Sequence, residues 1–335
     1  MTFAIRIVGS AVAFPCEIGE TVLDAAERAG YSIPYSCRKG VCSTCEGALA
    51  QGTAVVGHER VRGPRDGILL CRAKPESDLA IAPARIEKRI PLARKRIKAN
   101  VYRVHRPTPD VVILQLRFAA GIRAKFRAGQ YLRVLMPDGD SRNFSMANPP
   151  QESDGAELHI RHVPGGSFSE AMLAPLKAGD KLDVEIPYGE FFLREDGAKA
   201  VIFLATGTGF APIKSIIADM IRRDLRRPAR LYWGARMETD LYMPSLMARW
   251  RERASWLAIA PVLSEAGTAW PGRRGLVHRA VLEDVPDLSL HQVYACGNPL
   301  MIEAARADFV TLGKLPRNEF YADPFVASGD NEARA

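Results

Sequence analysis

The sequence lacks the long apolar stretches and the leader that membrane and secreted proteins carry. No apolar run approaches the roughly 20 residues that a membrane-spanning helix needs, and residues 1–6 do not begin a secretory signal. Internal repeats are absent as well. These absences exclude a membrane-spanning protein and argue against disulfides. We therefore expect a soluble, cytoplasmic protein with reduced thiols.

The sequence also has little uncompensated charge outside one short segment. The 335 residues carry a net charge of +8. Five basic residues and no acidic residue fall within residues 89–98: Arg89, Arg94, Lys95, Arg96 and Lys98. This grouping indicates a solvated linker or docking strip rather than a basic face, so we expect no nucleic-acid partner. The length suits two or three globular domains.

Cysteine is scarce, but most of it falls in one pattern. Of the six cysteines, four form a C-x4-C-x2-C motif with a distant fourth member: Cys37, Cys42, Cys45 and Cys71. This is the plant-type arrangement that holds a [2Fe-2S] cluster by four thiolates. Gly40, Ser43 and Thr44 are small enough to let the loop curl round a cluster. A zinc site, which usually pairs two C-x2-C knuckles, and a pair of disulfides are the alternatives.

The residues around this motif predict a hairpin, a helix and the cysteine loop in that order. Alternation of apolar and polar residues over residues 3–7 and 12–14 predicts two paired strands. Thr21 followed by Asp24 predicts the start of a helix, and Gly30 its end.

In these features residues 1–88 resemble a plant-type ferredoxin domain. The resemblance implies that the four cysteines of the motif are the metal ligands. The Arg38-Lys39 pair beside the first ligand is a departure, because many free ferredoxins have only the arginine, and it is expected to affect partner choice.

The rest of the chain changes its pattern twice. After a linker over residues 89–98, short strands separated by Pro and Gly turns predict an antiparallel barrel over residues 99–196. From residue 197 to 327, buried strands alternate with amphipathic helices, which indicates a parallel α/β domain. Residues 328–335 are a polar tail. The predicted fold class is thus multidomain, α+β followed by α/β.

Two motifs of the barrel predict a flavin site. Arg142, Phe144 and Ser145 combine a cation for a pyrophosphate with an aromatic ring on the same strand face and a small hydroxyl. The second motif is a glycine turn before a helix with a capping box, and it consists of Gly165, Gly166, Ser167, Ser169 and Glu170. Backbone N–H groups at such a turn can bind a phosphate. The alternatives without a functional role are ordinary barrel surface for the first motif and a capped surface helix for the second.

A third motif predicts a dinucleotide site. Gly207, Thr208 and Gly209 lie between a buried strand and an amphipathic helix, where phosphates can approach the backbone. Pro212 fits the first turn of that helix. The third glycine of the G-x-G-x-x-G fingerprint is missing.

Taken in order, these motifs resemble the ferredoxin-NADP reductase superfamily. The resemblance implies that Arg142, Phe144 and Ser145 contact FAD and that the glycine turn lies near its pyrophosphate. It also implies that Gly207, Thr208 and Gly209 bind the nicotinamide dinucleotide. Cys296 and Gly297 would lie near the reacting ring, with Cys296 positioning the nicotinamide without a covalent role. Phe144 stands where the superfamily usually has tyrosine, so a hydroxyl is lost but stacking is retained.

The choice of dinucleotide is open on the residues alone. Arg236 could bind the 2′-phosphate of NADPH, whereas Glu238 or Asp240 could bond the free ribose of NADH. The resemblance favours NADH.

The domain order resembles the reductase components of bacterial aromatic-ring-hydroxylating oxygenases. Four runs look most like the terephthalate 1,2-dioxygenase branch of that family: residues 93–96, 145–150, 152–155 and 161–166. The resemblance implies an iron–sulfur flavoprotein that passes electrons from NADH through FAD and the cluster to a terminal Rieske oxygenase. Three alternatives are open for the protein. It could be a reductase for CDP-6-deoxy-sugar deoxygenation, a reductase for another oxygenase, or a non-enzymatic binding module on a degenerate reductase.

Overall fold

The computed structural model describes residues 2–89, 92–166 and 168–326. The chain divides into two compact units, of which the first ends at Ala93 and the second begins at Arg94.

The first unit combines small sheets with one helix. Its elements are β1 (Thr2–Ile7), β2 (Ala13–Glu17), α1 (Val22–Arg28), β3 (Tyr31–Ser32), β4 (Glu46–Gln51), β5 (Thr53–Val56), β6 (Glu59–Arg62), β7 (Arg65–Leu69), β8 (Ala73–Pro75), β9 (Leu79–Pro83) and β10 (Glu87–Lys88). The main sheet has the order β2-β1-β9-β4-β7, and β1 and β9 are parallel. Smaller sheets join β6-β5-β8 and β10-β3.

Local sequence signals account for the start of this unit. The predicted hairpin is β1 with β2, in antiparallel register. The predicted helix is α1, and its N-cap Thr21 accepts a hydrogen bond from the Asp24 amide at 3.2 Å. Gly30 has a φ of +78° just after the helix, a conformation that glycine adopts without strain.

The second unit begins with an antiparallel barrel. Its strands are β11 (Lys95–Thr108), β12 (Val111–Arg117), β13 (Tyr131–Leu135), β14 (Ser141–Ser145), β15 (Gly155–Arg161) and β16 (Lys181–Tyr188). They follow the order β14-β13-β16-β11-β12-β15. An antiparallel bridge between Met146 and Leu158 joins the two edges and closes the barrel. A short π-helix, Phe168–Leu173, lies between β15 and β16.

Part of the predicted linker belongs to this barrel. β11 begins at Lys95, so residues 95–98 form a strand that pairs with β16. Ile97 and Ala99 are buried, whereas Lys98 between them is exposed. Three of the five basic residues, Lys95, Arg96 and Lys98, are therefore exposed positions of a strand, and Arg96 and Lys98 share the face opposite the buried Ile97 and Ala99.

The remainder of the second unit is a parallel α/β layer structure. Its elements are β17 (Ala200–Thr206), α2 (Phe210–Arg222), β18 (Ala229–Ala235), α3 (Pro244–Arg253), β19 (Leu257–Leu263), β20 (Arg273–Arg274), α4 (Val277–Asp284), β21 (His291–Gly297), α5 (Pro299–Thr311) and β22 (Phe320–Pro324). The strands follow the order β20-β19-β18-β17-β21-β22, all parallel.

This strand order fixes the place of a ligand site. The chain runs outward from β17 on one side and then returns to the other side with β21. Such a switch point leaves a crevice at the carboxyl ends of the two central strands. Both strands are buried and apolar, as expected for a parallel sheet covered on two faces.

Within the part of the chain that the structure describes, each helix is too short or too polar to cross a lipid bilayer.

Candidate functional site

The cysteine loop between β3 and β4 is shaped by its backbone. Three of its residues have a φ between +53° and +83°, namely Arg38, Gly40 and Ser43. The curled backbone aims amides at sulfur atoms. The Lys39 amide donates to Cys37 Sγ at 3.3 Å, and the Cys37 amide donates to Cys42 Sγ at 3.4 Å. Such amide bonds stabilise a thiolate.

The four thiols of the motif form two pairs. Cys37 and Cys42 are hydrogen-bonded to each other, as are Cys45 and Cys71. The bond to Cys42, together with backbone amides, lowers the pKa of Cys37 to about 5. The bond to Cys71 likewise lowers the pKa of Cys45. All four thiols are free of disulfides.

Two pairs of thiols suit a two-iron cluster better than a single zinc ion. A tetrahedral zinc site needs four ligands around one point. A [2Fe-2S] cluster has two irons that share its four cysteine ligands. The donor set and the sulfur-directed amides therefore fit this cluster.

Arg38 holds the cysteine loop against α1. Its side chain is only 9% exposed and forms ion pairs with Asp24, at 2.5 Å, and with Glu27. Its guanidinium also lies over the ring of Tyr35, 4.1 Å from the centroid. Because the Arg38 charge is engaged inside the unit, the role in partner choice expected for the Arg38-Lys39 pair does not fall on Arg38.

The first flavin motif lies on β14, at one edge strand of the barrel. Arg142 and Phe144 are half-buried, and Ser145 is buried. The Arg142 guanidinium forms an ion pair with Asp140, a neighbour that the sequence prediction did not consider. The Phe144 ring contacts Phe168 at a centroid distance of 4.9 Å, which brings the glycine turn beside β14.

The glycine turn differs from its prediction. Ser167 lies outside the described residues, and the helix that follows is a six-residue π-helix. The Gly165 amide donates to Glu170 at 3.4 Å, and the Gly166 amide donates to the Val163 carbonyl at 3.0 Å. Ser169 is buried and its hydroxyl accepts from the Val163 amide at 2.9 Å. The free backbone N–H groups expected at the two glycines are therefore engaged within the protein.

A further arginine supplies the polar character that a flavin pyrophosphate needs. Arg133 on β13 lies opposite Asn143 of β14, with its guanidinium 4.3 Å from the ring centroid of Tyr188. Its Nε is buried and has no hydrogen-bond partner among the residues described. A buried, unsatisfied cationic donor next to the Arg142 strand fits an anionic group of FAD. Sequence reasoning missed Arg133 because its strand is otherwise apolar.

The dinucleotide motif lies at the switch point between β17 and β21. A Cβ atom at Gly209 would stand 2.3 Å from the Cys296 carbonyl oxygen, and one at Gly297 would stand 2.4 Å from Thr206 Oγ1. The two glycines therefore allow the ends of the strands to touch. The Asn298 amide donates to Thr206 Oγ1 at 2.9 Å and fastens the same contact.

The backbone at this point fits a dinucleotide phosphate. Gly207–Gly209 form a short 3-10 turn that leads into α2, a helix of 13 residues. Among the described residues, no side chain forms a capping hydrogen bond at the N-terminus of α2. The Phe210 amide donates to the Gly207 carbonyl and Pro212 has no N–H. A phosphate would therefore meet the backbone of the Gly207–Gly209 turn at the positive end of the helix dipole. Thr208 is buried in this turn.

Cys296 is placed for contact rather than for covalent chemistry. It is fully buried, and burial, followed by the charge of Asp323, raises the pKa of its thiol well above the ordinary value. A neutral thiol is a poor nucleophile. Asp323 on β22 lies opposite Cys296 and is within 3.4 Å of Ser145 Oγ.

Asp323 thus links the flavin motif to the dinucleotide motif. It joins Ser145 of the barrel and Cys296 of the parallel sheet, two residues that the sequence singled out separately. Local sequence patterns assign Asp323 no role, since the pairing of β21 with β22 is not visible in them. The four cysteines of the cluster motif belong to the first unit, and the other predicted site residues belong to the second.

Family models for three kinds of domain match the chain in succession. The 2Fe-2S iron-sulfur cluster binding domain matches residues 5–76, the oxidoreductase FAD-binding domain residues 98–193, and the oxidoreductase NAD-binding domain residues 203–307. These matches confirm the predicted fold class and the predicted cofactors, a [2Fe-2S] cluster, FAD and a nicotinamide dinucleotide. The exact residue boundaries of the domains and the individual site residues stay predictions.

Known proteins are similar over nearly the whole chain. Terephthalate 1,2-dioxygenase, reductase component 1, from a Comamonas species is 42% identical over 333 residues, which is 98% of each chain. CDP-6-deoxy-L-threo-D-glycero-4-hexulose-3-dehydrase reductase from Yersinia pseudotuberculosis is 35% identical over 98% of this chain and 100% of the relative. The solved structure of the Amycolatopsis cytochrome P450 reductase GcoB has a TM-score of 0.79 and 30% identity, covering 98% of this chain and 100% of that one.

Proposed function

The chain belongs to the family of iron–sulfur flavoprotein reductases, and we propose that it transfers electrons from NADH to the terminal oxygenase of an aromatic-ring dioxygenase that acts on terephthalate. The observation that carries this proposal is the 42% identity to a terephthalate dioxygenase reductase component over 98% of both chains. The oxygenase is the proposed protein partner, and the cytoplasm is the proposed compartment.

The domain order suits a conversion between two-electron and one-electron transfer. NADH gives up two electrons together as a hydride, whereas an oxygenase iron accepts them singly; bound FAD and the cluster supply the intermediate electron carriers. The proposed cluster domain covers residues 1–88, the flavin domain residues 99–196 and the nicotinamide domain residues 197–327. Residues 89–98 join the first two, and their second part, residues 95–98, pairs with the barrel strand β16. A cluster fused to the reductase favours direct transfer to the oxygenase without a separate ferredoxin.

The proposed flavin site lies at the β13–β14 edge of the barrel. Arg142 and the unsatisfied Nε of Arg133 would neutralise the pyrophosphate. Phe144, half-buried on β14, would lie along the ring system. The turn containing Gly165, Gly166, Ser167 and Ser169 would flank the pyrophosphate.

The proposed nicotinamide site lies at the switch point of the parallel sheet. The Gly207, Thr208 and Gly209 backbone would bind the dinucleotide phosphates at the start of α2. Cys296 and Gly297 would position the nicotinamide ring, and the buried thiol of Cys296 would exclude water from it. Asp323 pairs with Cys296 and contacts Ser145, and so connects the nicotinamide site to the flavin site.

The test is formation of the cis-dihydrodiol from terephthalate, driven by NADH, with the purified protein and a purified terephthalate oxygenase. We expect coupled product formation. A Cys42→Ser variant is expected to keep NADH-driven reduction of ferricyanide and to lose product formation, because it lacks one cluster ligand. No product with the intact protein, alongside rapid ferricyanide reduction, would refute the terephthalate assignment while leaving the reductase activity in place.

A second candidate is electron delivery in CDP-6-deoxy-sugar deoxygenation. The 35% identity to a CDP-6-deoxy-hexulose dehydrase reductase over the full length of that relative favours it. The same protein preparation, assayed with that dehydrase and its CDP-sugar, separates the two candidates. We expect turnover with the terephthalate oxygenase and none with the dehydrase.

A further inference from the structure

A buried set of polar and aromatic side chains connects the barrel to the dinucleotide turn. His159 lies on β15 and its side chain is fully buried. His159 Nε2 is 3.0 Å from Glu157 Oε1, and His159 Nδ1 is 2.9 Å from the Tyr242 hydroxyl. Tyr242 lies between the 3-10 turn after β18 and the start of α3. The His159–Tyr242 contact therefore joins the two halves of the second unit.

The charges around His159 fix the direction of these hydrogen bonds. Burial would raise the pKa of Glu157, but its hydrogen bond with His159 and the Lys214 ammonium, 2.9 Å away, lower it well below the usual range. Burial also lowers the pKa of His159, so the imidazole is neutral. The ionised Glu157 therefore accepts from Nε2–H, which leaves Nδ1 to accept from the Tyr242 hydroxyl.

Tyr242 also packs against Trp233, which in turn contacts the Gly207–Gly209 turn. The two rings meet edge to face, with centroids 5.0 Å apart and an angle of 88°. Trp233 is fully buried, and its Nε1–H donates to the Gly207 carbonyl at 3.2 Å. Phe210, the first residue of α2, stacks on Trp233 at 4.0 Å. Trp233 is thus held on one side by Tyr242 and holds the turn on the other.

We propose that His159, Tyr242 and Trp233, here called the His159–Trp233 link, are positioning residues that fix the Gly207–Gly209 turn relative to the barrel. The link begins on β15, and β15 is bridged to the segment that follows β14. Buried contacts thereby hold the flavin motif and the Gly207–Gly209 turn in a fixed position relative to each other. This inference rests on the proposed role of the turn in binding the nicotinamide dinucleotide.

The test compares the same substitution at two buried tyrosines. Tyr242→Phe removes the hydroxyl that His159 accepts from and keeps the ring. Tyr232→Phe is the matched control, because Tyr232 is also buried, on β18, but its hydroxyl donates to Asp284 at 2.9 Å and not to His159. Trp233→Phe removes the N–H that the Gly207 carbonyl accepts.

The first readout is amide hydrogen exchange over residues 205–212, measured without dinucleotide. The second is the Kd for NAD+ from calorimetry of the purified flavoprotein, with the KM for NADH and kcat measured alongside. We expect Tyr242→Phe and Trp233→Phe to raise exchange in this segment and to weaken NAD+ binding about 3- to 10-fold, the range for one lost hydrogen bond. KM should rise more than kcat falls, and Tyr232→Phe should match the unmodified protein.

Equal exchange over residues 205–212 in Tyr242→Phe and Tyr232→Phe, with equal Kd values, would overturn the proposal. If Tyr242→Phe fails to fold, His159→Gln interrupts the link at its barrel end and the same comparison decides. Failure of the unmodified protein to bind NAD+ would instead refute the nicotinamide role of the turn. Hydrogen exchange would still show whether the link holds the turn in place.

Discussion

Replacing Gly209 with alanine tests the contact between the ends of β17 and β21. The new Cβ would stand 2.3 Å from the Cys296 carbonyl oxygen, 2.5 Å from its carbonyl carbon and 2.6 Å from the Gly297 nitrogen. All three are backbone atoms, so no flexible side chain can move aside. Gly209 has an ordinary φ of −58°, and the substitution therefore adds bulk without backbone strain.

The expected cost follows from overpacking. Forcing a methyl group into a filled site costs about 1–3 kcal/mol. In a unit of this size, each kcal/mol lowers Tm by about 2–4 °C. Because the displaced atoms belong to the dinucleotide turn and to Cys296, we also expect the KM for NADH to rise and kcat to fall.

The assay combines thermal unfolding with NADH-dependent ferricyanide reduction. Gly197→Ala is the matched control, since a Cβ there meets nothing within 4 Å and its φ lies outside the left-handed region. We expect this control to behave as the unmodified protein does. A Gly209→Ala protein with unchanged Tm and unchanged KM for NADH would refute the close approach of the two strand ends.

Ionisable side chains elsewhere give three further tests. Arg38→Gln removes the partner of Glu27, which is 12% exposed, and of Asp24, which is 46% exposed, and should destabilise the first unit by about 1.5–3 kcal/mol, seen as faster bleaching of the cluster. Arg60→Gln, at a side chain 74% exposed, should change little. Arg236→Gln removes an exposed cation after β18 and should lower kcat/KM for NADPH about 3- to 10-fold relative to kcat/KM for NADH. An unchanged ratio of the two kcat/KM values would contradict a role for Arg236 at the 2′-phosphate. Burial lowers the pKa of His159 below 6.5, so the unfolded chain binds more protons and stability falls as pH drops below about 6.5; in His159→Gln the plot of Tm against pH should be flatter in that window.

The elements best predicted from the sequence are those with strong local signals. The capping threonine and the trailing glycine mark α1, and the apolar period from Ile213 to Ile221 marks most of α2. The Gly207–Gly209 turn between β17 and α2 is predictable because a buried strand, a turn and an amphipathic helix each leave a pattern in adjacent residues.

Contacts between distant segments could not be predicted in this way. Asp323 reaches Cys296 only through the pairing of β22 with β21. Tyr242 meets His159 across 83 residues of sequence. The helix after the turn at Gly165 and Gly166 is a π-helix, Phe168–Leu173, and its Phe168 ring packs against Phe144, a contact that no local pattern indicates.

The pairing of the four cluster cysteines has a consequence for biosynthesis. Cys37 and Cys42 are neighbours on one loop, whereas the partner of Cys45 is Cys71, and β4 to β7 lie between them. A chain emerging from the ribosome presents three thiols well before the fourth. The four predicted ligands come together only after these strands have paired, so we expect iron acquisition to be tied to the folding of the sheet. Cluster insertion is therefore expected to follow the folding of the first unit rather than to nucleate it.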